Sequence, residues 1–425
     1  MRRFIQLAIL CGLAHDARGQ STPLTLPDCV RLALAAPSAL TLARQDARIA
    51  GYGVRAARAG FLPQAQLGNA FTYNSPASGS ANLPGTGSFV ALNGVHEYQS
   101  ALGASWEIDT SGRLRAALAR ARADQQIAGT NAALAARDLK RAVSGAYFRV
   151  LLARRLVKAD RDVLAEAESF AERTRLLVEG GEAARADVVK AASQVSFSQQ
   201  ALRAAELEAR IANAELASFW TADVEPELDL VDTLETQPPP EPAPAAPQPF
   251  MRRPEFDLYA AQRRGFEADY RRERSFLLPQ LTFNFQYGLD SNRVTLRDRG
   301  QAAFFTFNIP LFDWFRTRSL AGQFQVRSQQ ADTQRDISTR FFSREYQTAR
   351  SRVQLIYEQI PMTEAQVKTS EENLKLARVR YEGGEGPALD VVAAQSQLAQ
   401  ARTNYFQALA NYASAKSDLE VAAGR

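Results

Sequence analysis

The stretch Glu179-Gly-Gly-Glu182-Ala-Ala-Arg-Ala-Asp187-Val-Val-Lys-Ala191-Ala-Ser193-Gln194 returns, altered, as Glu382-Gly-Gly-Glu385-Gly-Pro-Ala-Leu-Asp390-Val-Val-Ala-Ala394-Gln-Ser396-Gln397. The offset is 203 residues throughout and 10 of 16 positions are identical, so the chain reads as a duplication of one long unit. Other motifs pair in the same order. Phe61-Leu62-Pro63-Gln64 matches Leu277-Leu278-Pro279-Gln280, Ala36-Pro37 matches Arg253-Pro254, and Ile108-Asp109 matches Phe312-Asp313. Each half is expected to run helix, apolar strand, loop, strand, long helix, Gly-Gly turn, helix.

Leu26, Val30, Leu34, Leu40, Leu42, Ile49 and Val54 recur at helical spacing, with Pro37 as a break and Gly60 and Pro63 as a stop. From Gln64 the period changes to two. Ala65, Leu67, Phe71 and Tyr73 share one face and Gln64, Gln66, Thr72 and Asn74 the other, which predicts a strand over about 64–74. Ser75 to Glu97 reads as an exposed loop. Alternation resumes over about 97–109, with Tyr98, Leu102, Ala104, Trp106 and Ile108 opposite Gln99, Ser105, Glu107 and Asp109. The second half repeats this over about 280–289 (Leu281, Phe283, Phe285, Tyr287, Leu289) and 302–311 (Phe305, Phe307, Ile309, Leu311), flanking a charged loop from Asp290 to Gln301. About ten residues with one greasy and one polar face is the signature of a transmembrane β-strand.

Arg113 to Val178 and Arg316 to Tyr381 read as helices of about 100 Å each at 1.5 Å per residue. Their small residues (Ala116, Ala119, Ala123, Ala128, Ala132, Ala135) suit close coiled-coil approach. Pro361 is expected to kink or break the second helix. The domain plan is a first repeat over 20–236, with its helix tip near 179–187, and a second over 251–425, with its tip near 382–390. Residues 237–250, nearly all Pro and Ala, form an extended connector between them.

The 425 residues are 46% hydrophobic, yet after the N-terminus no run of about 20 apolar residues offers a helical membrane span. Arg2 and Arg3, the apolar Phe4 to Leu13 and Ala17-Arg18-Gly19 read as a secretory signal over residues 1–19. Leu10 stands where a lipoprotein signal needs a small residue, so lipidation at Cys11 is not expected. Cleavage leaves Cys29 without an intramolecular disulfide partner, as a small buried helix residue, and lowers the formal charge from +5 to about +3. That balance calls for no nucleic acid. The mature chain keeps one histidine, His96, in the strand-edge loop, and shows no phosphate-cradling loop, metal cluster or nucleophile–base pairing, so neither an enzyme nor a cofactor is expected.

Four strands cannot close a barrel, and open edges in lipid leave costly unpaired backbone groups. Copies must pool their strands. Two chains would give eight, whose side chains fill the interior; three would give twelve and a lumen, which the polar faces favour. Taken together, the Leu-Pro-Gln strand starts, Trp106-Glu-Ile-Asp-Thr-Ser-Gly-Arg113, Pro310-Leu-Phe-Asp-Trp-Phe-Arg316, Arg252-Arg-Pro-Glu255 and the two Gly-Gly to Asp-Val turns resemble the TolC-like outer-membrane efflux proteins over residues 24–421. The resemblance implies an α+β membrane protein: a homotrimer with a 12-stranded barrel in the outer membrane of a Gram-negative bacterium, four strands per chain, continued by a periplasmic α-helical coiled-coil barrel. It also implies a passive channel of a tripartite efflux or type I secretion system, docked to a periplasmic adaptor and, through it, to an inner-membrane pump of RND or ABC type. Leu67, Phe71, Trp106, Phe283, Phe285, Phe305 and Phe307 would face outer-membrane lipid.

Gly180, Gly181, Gly383 and Gly384 suit helix C-caps, and Pro387 the first turn of the next helix. Asp187 and Asp390 fall in or near first turns, where a carboxylate favours the helix dipole by about 0.3–1 kcal/mol. The resemblance adds a second role, a ring of Asp390 carboxylates at the periplasmic mouth, with Tyr381 helping to close it. The family's basic partner is replaced by Gly386, leaving Arg185 or Arg380 as substitutes. Val178, Glu182, Glu385 and the neighbouring helix ends are candidates for adaptor contact. The rival reading is a periplasmic coiled-coil scaffold that is not a channel, its alternating segments forming a β-sandwich. Drug, metal and protein cargo all remain open.

Overall fold

A computed structural model describes residues 23–73, 96–223, 228–241, 248–291, 294 and 299–425. The expected signal and most of the first loop lie outside these residues. The elements are α1 (Leu26–Ala35), α2 (Ala39–Ala59), β1 (Gln64–Tyr73), β2 (His96–Ile108), α3 (Arg113–Glu179), α4 (Arg185–Ala217), α5 (Pro254–Ser275), β3 (Gln280–Ser291), β4 (Arg299–Asn308), α6 (Arg316–Glu382) and α7 (Ala388–Ala422). The chain forms two compact units, one from Met1–Thr41, Ala136–Arg252 and Phe342–Arg425, the other from Leu42–Ala135 and Arg253–Phe341.

In the first unit α1 opens with a capping box, Thr25 and Asp28 each bonding the other's backbone N–H. Cys29 and Ala33 then join a core with Val143, Tyr147, Val150, Leu151, Leu216 and Leu234. Leu24 pairs with the segment after α4, its N–H donating to the Asp229 carbonyl at 2.7 Å. In its described residues the connector meets α7. Tyr412 donates its hydroxyl to the Pro238 carbonyl at 2.7 Å, and Phe250 is buried. Its far end corrects the expectation of a purely extended strap, because Pro249–Arg252 form one 3₁₀ turn, proline having preset the first φ.

In the second unit the four strands make one antiparallel sheet in the order β1-β2-β3-β4. Register decides its character. Leu67 faces Leu102, Phe71 faces Tyr98, Trp106 faces Phe283, and Phe283 faces Phe305, so the greasy residues of all four strands fall on one side. Leu67, Phe71, Trp106, Phe305 and Phe307 are exposed there, while Phe283 and Phe285 are half-buried. One polar pair interrupts that face, Ser100 donating to the Asn69 side chain at 2.7 Å. Below the sheet α3, α5 and their neighbours pack through small residues and ion pairs, among them Arg120 to the buried Asp269 at 2.6 Å. Asp109 accepts from the Leu114 and Arg115 N–H groups, and Asp313 from that of Thr317 at 2.8 Å, so a carboxylate caps the start of each long helix.

Four further expectations need correcting. β4 covers Arg299–Asn308 rather than 302–311, because Gln280 opens β3 opposite Asn308 and leaves Ile309, Pro310 and Leu311 with no strand beside them among the described residues. The same register carries β3 to Ser291, so the loop between β3 and β4 is shorter than Asp290 to Gln301. His96 is the first residue of β2, its ring 5.4 Å from that of Tyr73. Of the kink or break expected at Pro361 the break does not occur, since α6 runs through that residue to Glu382. Proline removes one backbone donor there, the one that would bond the Tyr357 carbonyl.

Candidate functional site

The two hairpins α3–α4 and α6–α7 turn by the same device. Gly181 has φ +79° and Gly384 φ +73°. In the first turn the Glu182 N–H donates to the Leu177 carbonyl at 2.8 Å and the Gly181 N–H to that of Val178; in the second, Glu385 donates to Arg380 at 2.8 Å and Gly384 to Tyr381. These are paired Schellman caps, which need the left-handed conformation only at the second glycine of each Gly-Gly. Pro387 is the N-cap of α7 and not part of its first turn, a correction that follows from its ψ of 152°. Asp187 and Asp390 each fall in the first turn of the following helix.

Behind the turns the four helices share an apolar cluster of Phe170, Ala191, Leu374, Tyr381, Ala388, Val391, Ala394 and Leu398. Small residues on α4 and α7 let larger ones from α3 and α6 fill the centre. Phe170 and Tyr381 meet edge to face, ring centroids 5.2 Å apart. Ion pairs flank them, Arg378 with Glu166 and Arg173 with Glu382. Burial pulls the Arg378 guanidinium below its ordinary pKa, an effect the Glu382 carboxylate opposes. Buried Gln395 donates to the Glu166 carbonyl at 3.5 Å. The Tyr381 hydroxyl is buried with no hydrogen-bond partner among the described residues.

The acidic residues at the turns are arranged differently. Glu182, Glu385 and Asp390 are exposed, whereas Asp187 is half-buried with the Lys190 ammonium 3.5 Å away. Arg380 bends over its own turn, its guanidinium 3.4 Å from the Glu385 carbonyl, with Gly386 beside it. Arg185 is exposed and Val178 half-buried. The fold thus groups the turn glycines, the free carboxylates and Tyr381 at the hairpin ends. Phe170, Arg173, Glu166 and Arg378 escaped the sequence reading, because their partners lie more than 200 residues away and no local period links them. Among the described residues no group of His, Cys, Asp and Glu could hold a metal, and no single helix is long and apolar enough to cross a membrane.

Strands of membrane-crossing length with one greasy and one polar face, joined to helices of 67 residues, define a β-stranded outer-membrane protein with a large helical portion. The chain belongs to the outer membrane efflux protein family, whose model matches residues 29–222 and 250–425. Solved structures share its fold. A membrane protein from Pseudomonas aeruginosa superimposes with a TM-score of 0.82 at 21% identity, covering 94% of this chain and 92% of its own. The CmeC outer membrane channel of Campylobacter jejuni gives 0.81 at 16%, covering 94% and 85%. The Neisseria gonorrhoeae MtrE outer membrane channel, in its open state, gives 0.80 at 20%, covering 94% and 88%. No curated protein matches the chain significantly.

Proposed function

We propose that this chain is one subunit of a homotrimeric outer-membrane channel that passively conducts what a periplasmic adaptor and an inner-membrane pump deliver to it. One observation carries the reading: a four-stranded sheet with a mostly greasy face whose two edge strands, β1 and β4, have no neighbouring strand among the described residues. In lipid, every edge N–H and C=O left unpaired costs several kcal/mol, so copies must close the ring. Twelve strands leave a lumen lined by Gln66, Thr72, Gln99, Ser105, Thr282, Asn284 and Thr306. The long helices form the periplasmic part of the conduit. Its mouth lies at the paired hairpin turns, where Glu182 and Glu385 are offered to the adaptor and three Asp390 carboxylates bias the opening towards cations. Family membership and the channels of like fold support this reading.

The test is to extract the mature protein from outer membranes in detergent, measure its mass, and insert it into planar bilayers. A heat-resistant trimer that conducts is the expected result. A monomer stable in water without detergent would instead support the scaffold.

A further inference from the structure

The β1–β2 and β3–β4 hairpins share one register. Moving β1 forward by 216 residues, the spacing of Pro63 and Pro279, and β2 by 203, the spacing of the two Gly-Gly turns, carries the pair Gln64–Ser105 onto the observed pair Gln280–Asn308. The strand exits obey the second shift too. Gly112, at φ +79°, lands on Phe315, which holds φ +61° although no side chain favours it. The two halves therefore superimpose residue by residue through the sheet, and one junction remains to be mapped. β2 leaves the first half beside β3, which begins the second. In a closed ring β4 leaves the second half beside β1 of the next copy.

We infer that β4 pairs with β1 of a neighbouring copy of this chain in the register obtained by shifting the β2–β3 ladder. Trp106–Phe283 becomes Ile309 against Leu67, Ile108–Leu281 becomes Leu311 against Ala65, and Ala104–Phe285 becomes Phe307 against Asn69. Two rungs higher, Phe305 meets Phe71. This inference rests on the trimeric reading and adds to it the surface that joins the subunits.

Three observations agree with it. The register keeps the greasy faces of both strands on one side, with Ile309 against Leu67, Leu311 against Ala65 and Phe305 against Phe71, and with Asn69 opposite Phe307 as the polar exception, whereas a slip by one would set Ile309 against Gln66 or Gly68 and turn one strand's polar face to lipid. It gives partners to Ile309 and Leu311, which follow the last paired residue of β4 and are 56% and 93% exposed. It also supplies the backbone partners that β4 lacks beyond Asn308, extending the strand over the residues whose alternation runs to Leu311.

The experiment uses full-length protein carrying Cys29→Ala and one cysteine pair. Facing residues of an antiparallel ladder are about 4.5–5.5 Å apart at Cα, within disulfide reach, while diagonal neighbours stand at about 7–8 Å. Oxidation of Ile309→Cys with Leu67→Cys should move the boiled, non-reduced band from monomer to trimer mass. Ile309→Cys with Ala65→Cys or with Asn69→Cys should leave most of it at monomer mass. Phe305→Cys with Phe71→Cys is a second reporter should the first pair hinder assembly. A trimer by mass that cross-links best through an offset pair, or through neither designed pair, overturns the register and leaves the channel intact. A protein that is not a trimer by mass overturns both.

Discussion

Phe170 of α3 and Tyr381 of α6 hold the two hairpins together at their ends, edge to face, with an arginine–glutamate pair before them and another behind. Glu166, Phe170 and Arg173 meet Arg378, Tyr381 and Glu382 in rising order, so the two long helices run side by side in one direction. The ring of Tyr381 is core and its hydroxyl is not used. Tyr381→Phe should therefore leave single-channel current and trimer heat resistance unchanged. Tyr381→Ala removes a buried aromatic at a cost of about 3 kcal/mol or more and should raise the current by loosening the turns. A Phe variant that behaved like the Ala variant would show that the hydroxyl matters after all.

Asp187 and Asp390 occupy matching positions but different surroundings. Lys190 stands 3.5 Å from Asp187 in the chain, and Asp390 is exposed. Asp390→Ala should abolish most of the cation preference measured as a reversal potential across a salt gradient, and Asp187→Ala should change it much less. Equal effects, or none at Asp390, would remove the carboxylate ring from the account.

Much of this was legible in the sequence because its signals are local. The period-two alternation placed β1 and β2 within a residue of their observed bounds, and the Gly-Gly pairs marked both turns. β4 was displaced because alternation continues to Leu311 while the ladder within one chain stops at Asn308; pairing, not pattern, ends the strand. Of the kink or break expected at Pro361, the break does not occur, because a single missing donor does not outweigh the packing of a helix this long. Tyr381 was legible as an aromatic at a turn but not as a core residue, since Phe170 lies on another helix and its counterpart by the repeat is Asn373.

The turns allow a paired test of backbone conformation. Gly181 and Gly384 are left-handed, and a β-carbon there costs about 1–2 kcal/mol. Their neighbours are not: a Cβ on Gly180 or Gly383 meets only carbonyl oxygens, the nearest at 3.6 and 3.4 Å. Gly384→Ala should therefore speed limited proteolysis at the hairpin end and Gly383→Ala should not, with Gly181 and Gly180 behaving alike. Equal cleavage of both variants would count against the Schellman geometry.

The first unit should lose stability in alkali. Burial pushes the Cys29 thiol from 9.0 up to about 11 and the Tyr147 phenol from 10.0 up to about 12. Both shifts favour the protonated form in the fold, so between these values the folded chain holds protons that the unfolded chain releases. The stabilisation is full below about pH 9 and is lost as pH rises towards 11 and 12. Melting temperature should fall over that range, with a shallower fall between pH 9 and 11 in Cys29→Ala. At pH 8 the Cys29 thiol, wholly buried among Tyr147, Leu151 and Leu216, should resist alkylation until the core unfolds. Rapid labelling of folded protein at pH 8 would show that α1 does not seal this core.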